Sequence, residues 1–539
     1  MFFRRTAVAW LIFVVVLSLS SALAQTIETP AERSNYSRYS QHQDVAQFLS
    51  ALGEASRNVS VQVIGKTLEV KDFPSTNLFL AVITEKGASS PAALDRKKPT
   101  LLIVASQHGN EQSAKEATLQ LIRDAAIGDL QPVLKKINLL VIPQANPYGN
   151  FVNRRQNEQN LDLNRDHVKL ESPETRAIHA VFLKWMPEIT LDVHEKGDDY
   201  YRVSTGCVSN LNIGEVLQRF SRETLFPDIA RRVAAAGYTW HEYLVTDTVG
   251  SSMAEGVQGR GAGGQRELLM RYSTPDLNDG RNSLGIYESL SFIQEGASRH
   301  DIETLKARTA WQYAGIRALV EKSAAEDQRI LGMVRAQRKA LLKVASKPSP
   351  GNVVHLRMEY VRNPKEPELP LMRFERTQGA AAPPATEAKA SKEIIKNWLP
   401  KVESRLTVTR PVGYVVPAAQ EDVIKTLLDH GIGLKRIAHD ITVEVEAYKI
   451  GDVVPSKEDY VAPEKIEVAS EISKATLLKG DFYVPEDQPA ANLIPCLLEP
   501  QSEFGLIRYR AYRLLPEKGA TFPITRIARR QKLPLEAHP

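Results

Sequence analysis

The sequence predicts an α/β protein: a mixed, mostly parallel twisted sheet flanked by helices, followed by a smaller β-rich domain. Three observations lead there. Thr100–Ser106, Ile137–Ile142, Ile189–Val193 and Leu290–Ile293 are apolar runs of strand length without polar alternation, as strands covered on both faces require. Helical stretches near 173–185, 212–235 and 302–343 alternate with them, the order of a parallel sheet. Beyond Lys347 the texture changes to Pro-rich connectors and alternating strands.

In chain order, residues 1–24 come first. Arg4 and Arg5 precede an apolar stretch that ends in Ala22-Leu23-Ala24, the layout of a secretory signal peptide cleaved after Ala24. That implies a periplasmic or secreted protein with no stable membrane association after cleavage. Losing both arginines lowers the formal charge from +5 to +3, too small an excess to argue for nucleic acid. With 43% hydrophobic and 25% charged residues, the chain is not a disordered one. Cys207 and Cys496 are its two cysteines, which permits one disulfide but no disulfide framework.

A catalytic domain is expected over residues 35–345. Residues 40–57 read as an amphipathic helix and 60–84 as two short strands, with Val59, Val61 and Val63 and then Leu78, Leu80 and Val82 alternating in and out. After the run Thr100–Ser106, Ser113–Ala125 reads as a helix. The β-rich domain, 346–539, should hold strands at Val353–Val361, Ile441–Ile450, Ile507–Leu515 and Thr521–Ile527, with a helix at Glu421–His430. Residues 379–393, opening on the stretch GAAAPPATEAKA, have little to bury and read as an exposed linker or loop.

The chemistry starts where the first buried run stops. His108 and Glu111 lie three residues apart on a strand-to-helix turn, and Gly109 lets the backbone bend between them, so both can address one metal. A second His-x-x-Glu, His300 to Glu303, reads as a solvated helix face. The first copy stands apart because it sits at the carboxyl end of a buried strand, where open α/β sheets place ligands. His194, ending the run Ile189–Val193, supplies a third ligand from another strand end. Two histidines and one glutamate leave an open coordination position, the catalytic form of a zinc site, with one Zn2+ per chain.

Between these elements lie Asn146-Pro147-Tyr148-Gly149, Arg154-Arg155-Gln156-Asn157 and Asp162-Leu163-Asn164-Arg165. Over about residues 40–320 the order of these motifs resembles the zinc metallocarboxypeptidases of the carboxypeptidase A type. Tyr148 stands where that family usually has Asp, and Asn160 where a Gly often precedes the Asp-x-Asn-Arg run. The resemblance implies a carboxypeptidase-like fold and assigns Arg155 to the developing oxyanion. Asn164 and Arg165 would hold the terminal carboxylate of a peptide substrate, and Asp162 would orient the His108 imidazole. It makes Glu295, at the end of the run Leu290–Ile293, the general base on a metal-activated water and the acid for the leaving amine. Tyr272 has the spacing of the family's substrate-clamping tyrosine, with Tyr287 its rival. The side-chain pocket would be set by Arg271–Arg281, in which no residue stands out. Gly259–Gly264 lacks the Lys-Ser/Thr of a phosphate loop and reads as a flexible segment near the cleft.

The expected function is therefore an exported metallopeptidase of bacterial type that hydrolyses the C-terminal peptide bond of peptides. Its C-terminal part resembles accessory regions behind some bacterial carboxypeptidase domains, on the segment Arg410–Pro417 and His430-Gly431-Ile432. Two other readings remain. One is a zinc-dependent N-acyl amino acid deacylase similar to the aspartoacylase and succinylglutamate desuccinylase group, which shares His-Gly-Asn-Glu and Asp-Leu-Asn-Arg. The other is a non-catalytic peptide-binding protein on the same scaffold.

Overall fold

A computed structural model describes residues 27–197, 201–248, 268–347, 349–374, 390–454, 463, 465–514 and 517–537. The leader at 1–24, the run Gly259–Gly264 and the linker residues 379–389 lie outside the described residues. No helix among the described residues is long and apolar enough to cross a membrane.

The central sheet has eight strands: β1 Val59–Lys66, β2 Asn77–Ile83, β3 Thr100–Ala105, β4 Asn138–Ile142, β5 Ile189–Gly197, β6 Val203–Cys207, β7 Trp240–Glu242 and, after a hairpin of β8 Leu244–Thr248 and β9 Leu268–Tyr272, β10 Leu290–Ser298. Their order is β1-β2-β4-β3-β5-β10-β6-β7. The four middle strands are parallel, while β1, β2 and β6 join antiparallel to their inner neighbours. All four apolar runs are strands of this parallel centre. Each residue of β3 and β4 is buried, because helices cover both faces and leave no side for polar alternation.

Helix Gln112–Ala126 follows β3 and helix Pro173–Trp185 precedes β5. The expected helix at 302–343 is two, Leu305–Ala325 and Asp327–Ala345, interrupted at Glu326. His300 lies before them in a left-handed turn, not on a solvated helix face. Its ring sits 3.1 Å from the buried Glu195 carboxylate.

In the second part, the strand Val353–Val361 pairs with Lys401–Thr409, and Ile441–Ile450 opens the long strand Ile441–Val454. Of the expected strand Ile507–Leu515, the described residues 507–514 are not a strand. They form two 3-10 turns, Leu506–Arg508 and Arg510–Tyr512, in which local backbone bonds, Tyr509 N to the Leu506 carbonyl (3.1 Å) and Arg513 N to the Arg510 carbonyl (3.0 Å), take the place of a strand partner. Only Thr525–Ile527 of the expected Thr521–Ile527 is strand; Pro523 brings no ladder donor. Ala390–Ile395, within and just past the expected linker, pairs as a strand with Leu369–Phe374.

One hydrophobic core runs from Val45 to Ile524, so both parts of the chain contribute to it. Polar ties cross between them: Tyr287 Oη donates to the His430 carbonyl (2.8 Å), and the buried Arg508 pairs with Asp276 (2.9 Å). Cys207 and Cys496 are free and buried, and burial pushes both thiols up to about 12.

Candidate metal centre

β3 has β4 on one side and β5 on the other, both parallel to it, so the strand order reverses here and a crevice opens at the carboxyl ends. Ser106, just past β3, takes a left-handed backbone (φ 59°) that turns the chain towards His108. A Cβ on Gly109 would fall 2.0 Å from the Gly149 carbonyl carbon, so glycine alone lets this turn pack on the next. Asn146 joins the two. Its amide donates to the carbonyls of Gln107 (3.1 Å) and Arg155 (3.2 Å), and its oxygen accepts from Gly149 N (2.8 Å), capping helix Pro147–Phe151. That is the physical content of the Asn-Pro-x-Gly element.

The turn delivers His108 and Glu111 to the crevice, and β5 delivers His194. Their ligand atoms lie within 4.8 Å of one another, and all three residues are buried. His108 Nδ1 is 2.7 Å from Glu111 Oε1, His194 Nδ1 is 2.9 Å from Glu111 Oε2, and the two Nδ1 atoms are 3.0 Å apart. Tetrahedral zinc with nitrogen and oxygen donors spaces its ligand atoms roughly 3.3 Å apart, close to these separations. Both Nε2 atoms face carboxylates, His108 towards Asp162 (3.1 Å) and His194 towards Asp192 (2.7 Å). A carboxylate behind each imidazole orients the ring and leaves Nδ1 for a cation. The donor set thus fits one divalent ion.

Electrostatics agree. Burial raises the Glu111 pKa, but His108 and His194 outweigh it and hold Glu111 far below the usual carboxylate range. Burial lowers the pKa of His194, and the Asp192 and Glu111 carboxylates more than reverse that.

Glu295 stands next to this cluster. In the sheet register it faces His194 of β5 on one side and Ser204 of β6 on the other. Glu295 is 6% exposed, and its Oε2 has no hydrogen-bond partner. Burial raises its pKa, His194 opposes the rise, and Glu111 adds to it. Tyr243 hydrogen-bonds to this carboxylate, which adds to the effect of burial in pushing the phenol upward.

The other expected residues divide. Arg155 lies beside the cluster: Nε donates to Asp162 Oδ2 (2.7 Å) and Nη1 is 3.1 Å from His108 Nδ1. Burial raises the Asp162 pKa, but His108, Arg155 and Arg165 hold it well below the usual range. Asn164 Nδ2 lies 3.3 Å from His194 Nε2, and its oxygen accepts from Gly280 N (2.8 Å). The half-buried Arg165 donates to the Asn164 carbonyl (2.7 Å). Tyr272 is not gathered in with them. Its ring packs edge-on against Trp398 (4.8 Å) and under the Arg222 guanidinium (4.2 Å). Tyr287 lies in the core beneath His430.

Sequence reasoning passed over two neighbours. Asp192 was readable, since a residue two before His194 on a strand shares its face. Tyr243 had no signal, because it reaches Glu295 from outside the motif-bearing segments.

Residues 45–198 match the model of the zinc carboxypeptidase family. Carboxypeptidase 2 of Trichophyton rubrum is 26% identical over 487 residues, covering 86% of this chain and 81% of the relative. Carboxypeptidase 2 of Trichophyton tonsurans is 25% identical over 439 residues, covering 78% and 75%. Among solved structures, carboxypeptidase A from Helicoverpa armigera aligns over 54% of this chain and 75% of its own, at 15% identity and a TM-score of 0.39. A metallo-carboxypeptidase from Burkholderia cenocepacia aligns over 52% and 69%, at 17% identity and a TM-score of 0.36. The family match spans the segment that carries His108, Glu111 and His194, and the likeness to the carboxypeptidases extends over most of the chain, which together support a hydrolase of the metallocarboxypeptidase kind.

Proposed function

We propose that the protein is a zinc-dependent carboxypeptidase that removes the last residue of peptides carrying a free C-terminal carboxylate. The observation that supports this best is the convergence of His108 Nδ1, His194 Nδ1 and the Glu111 carboxylate beside the free oxygen of Glu295. When bound, zinc supplies a Lewis acid that acidifies water and polarises a carbonyl.

The chain's own residues do the rest. His108, Glu111 and His194 hold the ion. Glu295 takes a proton from the attacking water and returns it to the leaving amine, and its raised pKa suits both transfers. Arg155, whose guanidinium lies against the cluster, stabilises the negative charge that grows on the scissile carbonyl oxygen. Arg165, with Asn164 beside it, receives the terminal carboxylate, for which a planar guanidinium is matched in charge and shape. Asp162 keeps the His108 ring oriented and also anchors Arg155. Tyr272, at the end of β9 and packed on Trp398, would clamp substrate only if that strand end swung away.

We assign residues 1–24 to an export leader and hence the protein to the periplasm or exterior, on the basic, apolar and small-residue order of that segment. Residues 35–345 form the catalytic part in this reading, and 346–539 the accessory part. Digestion of short peptides by the zinc-loaded protein tests the function. Release of single C-terminal residues is expected. Cleavage of N-acyl amino acids alone, or peptide turnover unchanged by zinc removal, would overturn it.

A further inference from the structure

Three histidines that the mechanism does not use, His167, His179 and His430, are fully buried beside one another. His167 follows the turn Leu163–Arg165, His179 lies on helix Pro173–Trp185, and His430 ends helix Glu421–Asp429 of the second part. His167 Nδ1 is 3.0 Å from His179 Nε2, and His167 Nε2 is 2.8 Å from Gln107 Oε1. His430 packs edge-on against His179, with 5.2 Å between ring centres, and closes the outer end. At the inner end Gln107 hydrogen-bonds to Asp192, whose Oδ2 is 2.7 Å from His194 Nε2. A polar chain thus runs from His179 through His167, Gln107 and Asp192 to a candidate metal ligand.

The protons on this chain can point in one direction only. With Nδ1 turned to a cation, His194 keeps its proton on Nε2 and donates it to Asp192, which as a carboxylate can only accept. Gln107 must therefore give its amide nitrogen to Asp192 and its oxygen to His167. That oxygen accepts from His167 Nε2, so His167 Nδ1 is bare and accepts in turn from His179 Nε2. The atom left over, His179 Nδ1, is then a bare nitrogen, and it has no hydrogen-bond partner. Burial keeps both rings neutral, holding His167 at about 4 and His179 well below the usual histidine range.

The two ends of an amide have nearly the same shape, so packing does not decide which of them Gln107 turns to Asp192. A cavity of about 10 Å3, roughly the space of one water, borders Gln107, His167, Asp192 and Gly280, so no neighbour wedges the amide on that side. Turned the other way, Gln107 would set a lone pair against the buried Asp192 carboxylate. What selects the orientation is the proton on His167.

We propose that His167 is a positioning residue of the metal centre: its Nε2–H fixes the amide of Gln107, which in turn holds Asp192 aimed at His194. The inference rests on the zinc-dependent reading given above.

Two variants separate this role from packing alone. His167→Gln carries an amide nitrogen where Nε2 was and can still donate to Gln107, but it leaves the His179 donor without an acceptor. His167→Phe fills the space and donates nothing. Zinc affinity, read by competition with a chromophoric chelator, should fall about tenfold in His167→Phe and stay within about twofold of wild type in His167→Gln. Both variants should melt below wild type. NMR of zinc-loaded protein with isotope-labelled histidine should show the His194 Nε2 proton shifted upfield in His167→Phe but not in His167→Gln. Unchanged zinc affinity in His167→Phe overturns the inference, as does an equal loss in both variants that follows their melting temperatures. The same spectra of the wild type test it without any variant, since a His167 that carries its proton on Nδ1 also overturns it. If the wild type holds no zinc, the function proposed above fails and this inference with it. A zinc-binding wild type indifferent to His167 sinks this inference alone.

Discussion

Glu295 and His194 are register partners on adjacent parallel strands, so a free carboxylate oxygen and a candidate ligand leave the sheet side by side at the same edge. With Glu295 as proton carrier and not ligand, Glu295→Gln should keep its zinc and lose peptide turnover by at least about a hundredfold. Metal content and kcat measured on the same sample decide this. A variant that turns over normally removes Glu295 from its role.

The parts of this site that were legible in the sequence are those carried by strand ends. A buried parallel strand shows as an uninterrupted apolar run, and the residue that ends it must lie at the sheet edge, which is why His108, Glu111 and His194 could be located without coordinates. Tyr243 could not. Its place depends on how the chain passes from β7 to β8 at the sheet edge, and a neighbour of that kind has no sequence period. The Leu506–Tyr512 turns were misread for a related reason: a run buried on every side looks like a strand in one dimension. Pro523 did carry a usable signal that the strand at Thr521–Ile527 begins late.

Asp192 lies behind His194, 2.7 Å from its Nε2, and Gln107 hydrogen-bonds to the same buried carboxylate. Removing its charge should loosen the ring that it orients. Asp192→Asn is expected to weaken zinc binding about ten- to a hundredfold, read by competition with a chromophoric chelator. Unchanged affinity would mean that the carboxylate does not support the ligand.

Gly109→Ala places a methyl group against the backbone of Gly149, at 2.0 Å from its carbonyl carbon and 2.3 Å from its Cα. No flexible side chain can yield there, so the two turns must separate. The variant should lose about 1–3 kcal/mol of stability and bind zinc more weakly, because the same turn carries His108 and Glu111. Denaturant melts and metal titration measure both, and a wild-type result in each would refute the packing argument.

The buried Glu174 carboxyl faces that of the half-buried Glu158. Burial raises Glu174, the Glu158 charge adds to it, and the result is about 8. A carboxyl with a raised folded pKa binds its proton more tightly in the folded state. Its contribution is therefore full below the ordinary carboxylate range and is lost as pH climbs through about 8, at no more than about 1.4 kcal/mol per pH unit. Glu174→Gln can still accept from Asn157 and donate to Glu158, so it should flatten that slope and raise the melting temperature at pH 8.5 but not at pH 4. Parallel stability profiles for the two proteins would exclude the shared proton.

The most direct test of the account is zinc per chain, measured by elemental analysis on the wild type and on His194→Ala after dialysis against a weak chelator. One zinc per wild-type chain and little in the variant is the predicted result, since removing an imidazole from a three-ligand site leaves too few donors to hold the ion. Stoichiometric zinc retained without His194 would contradict it.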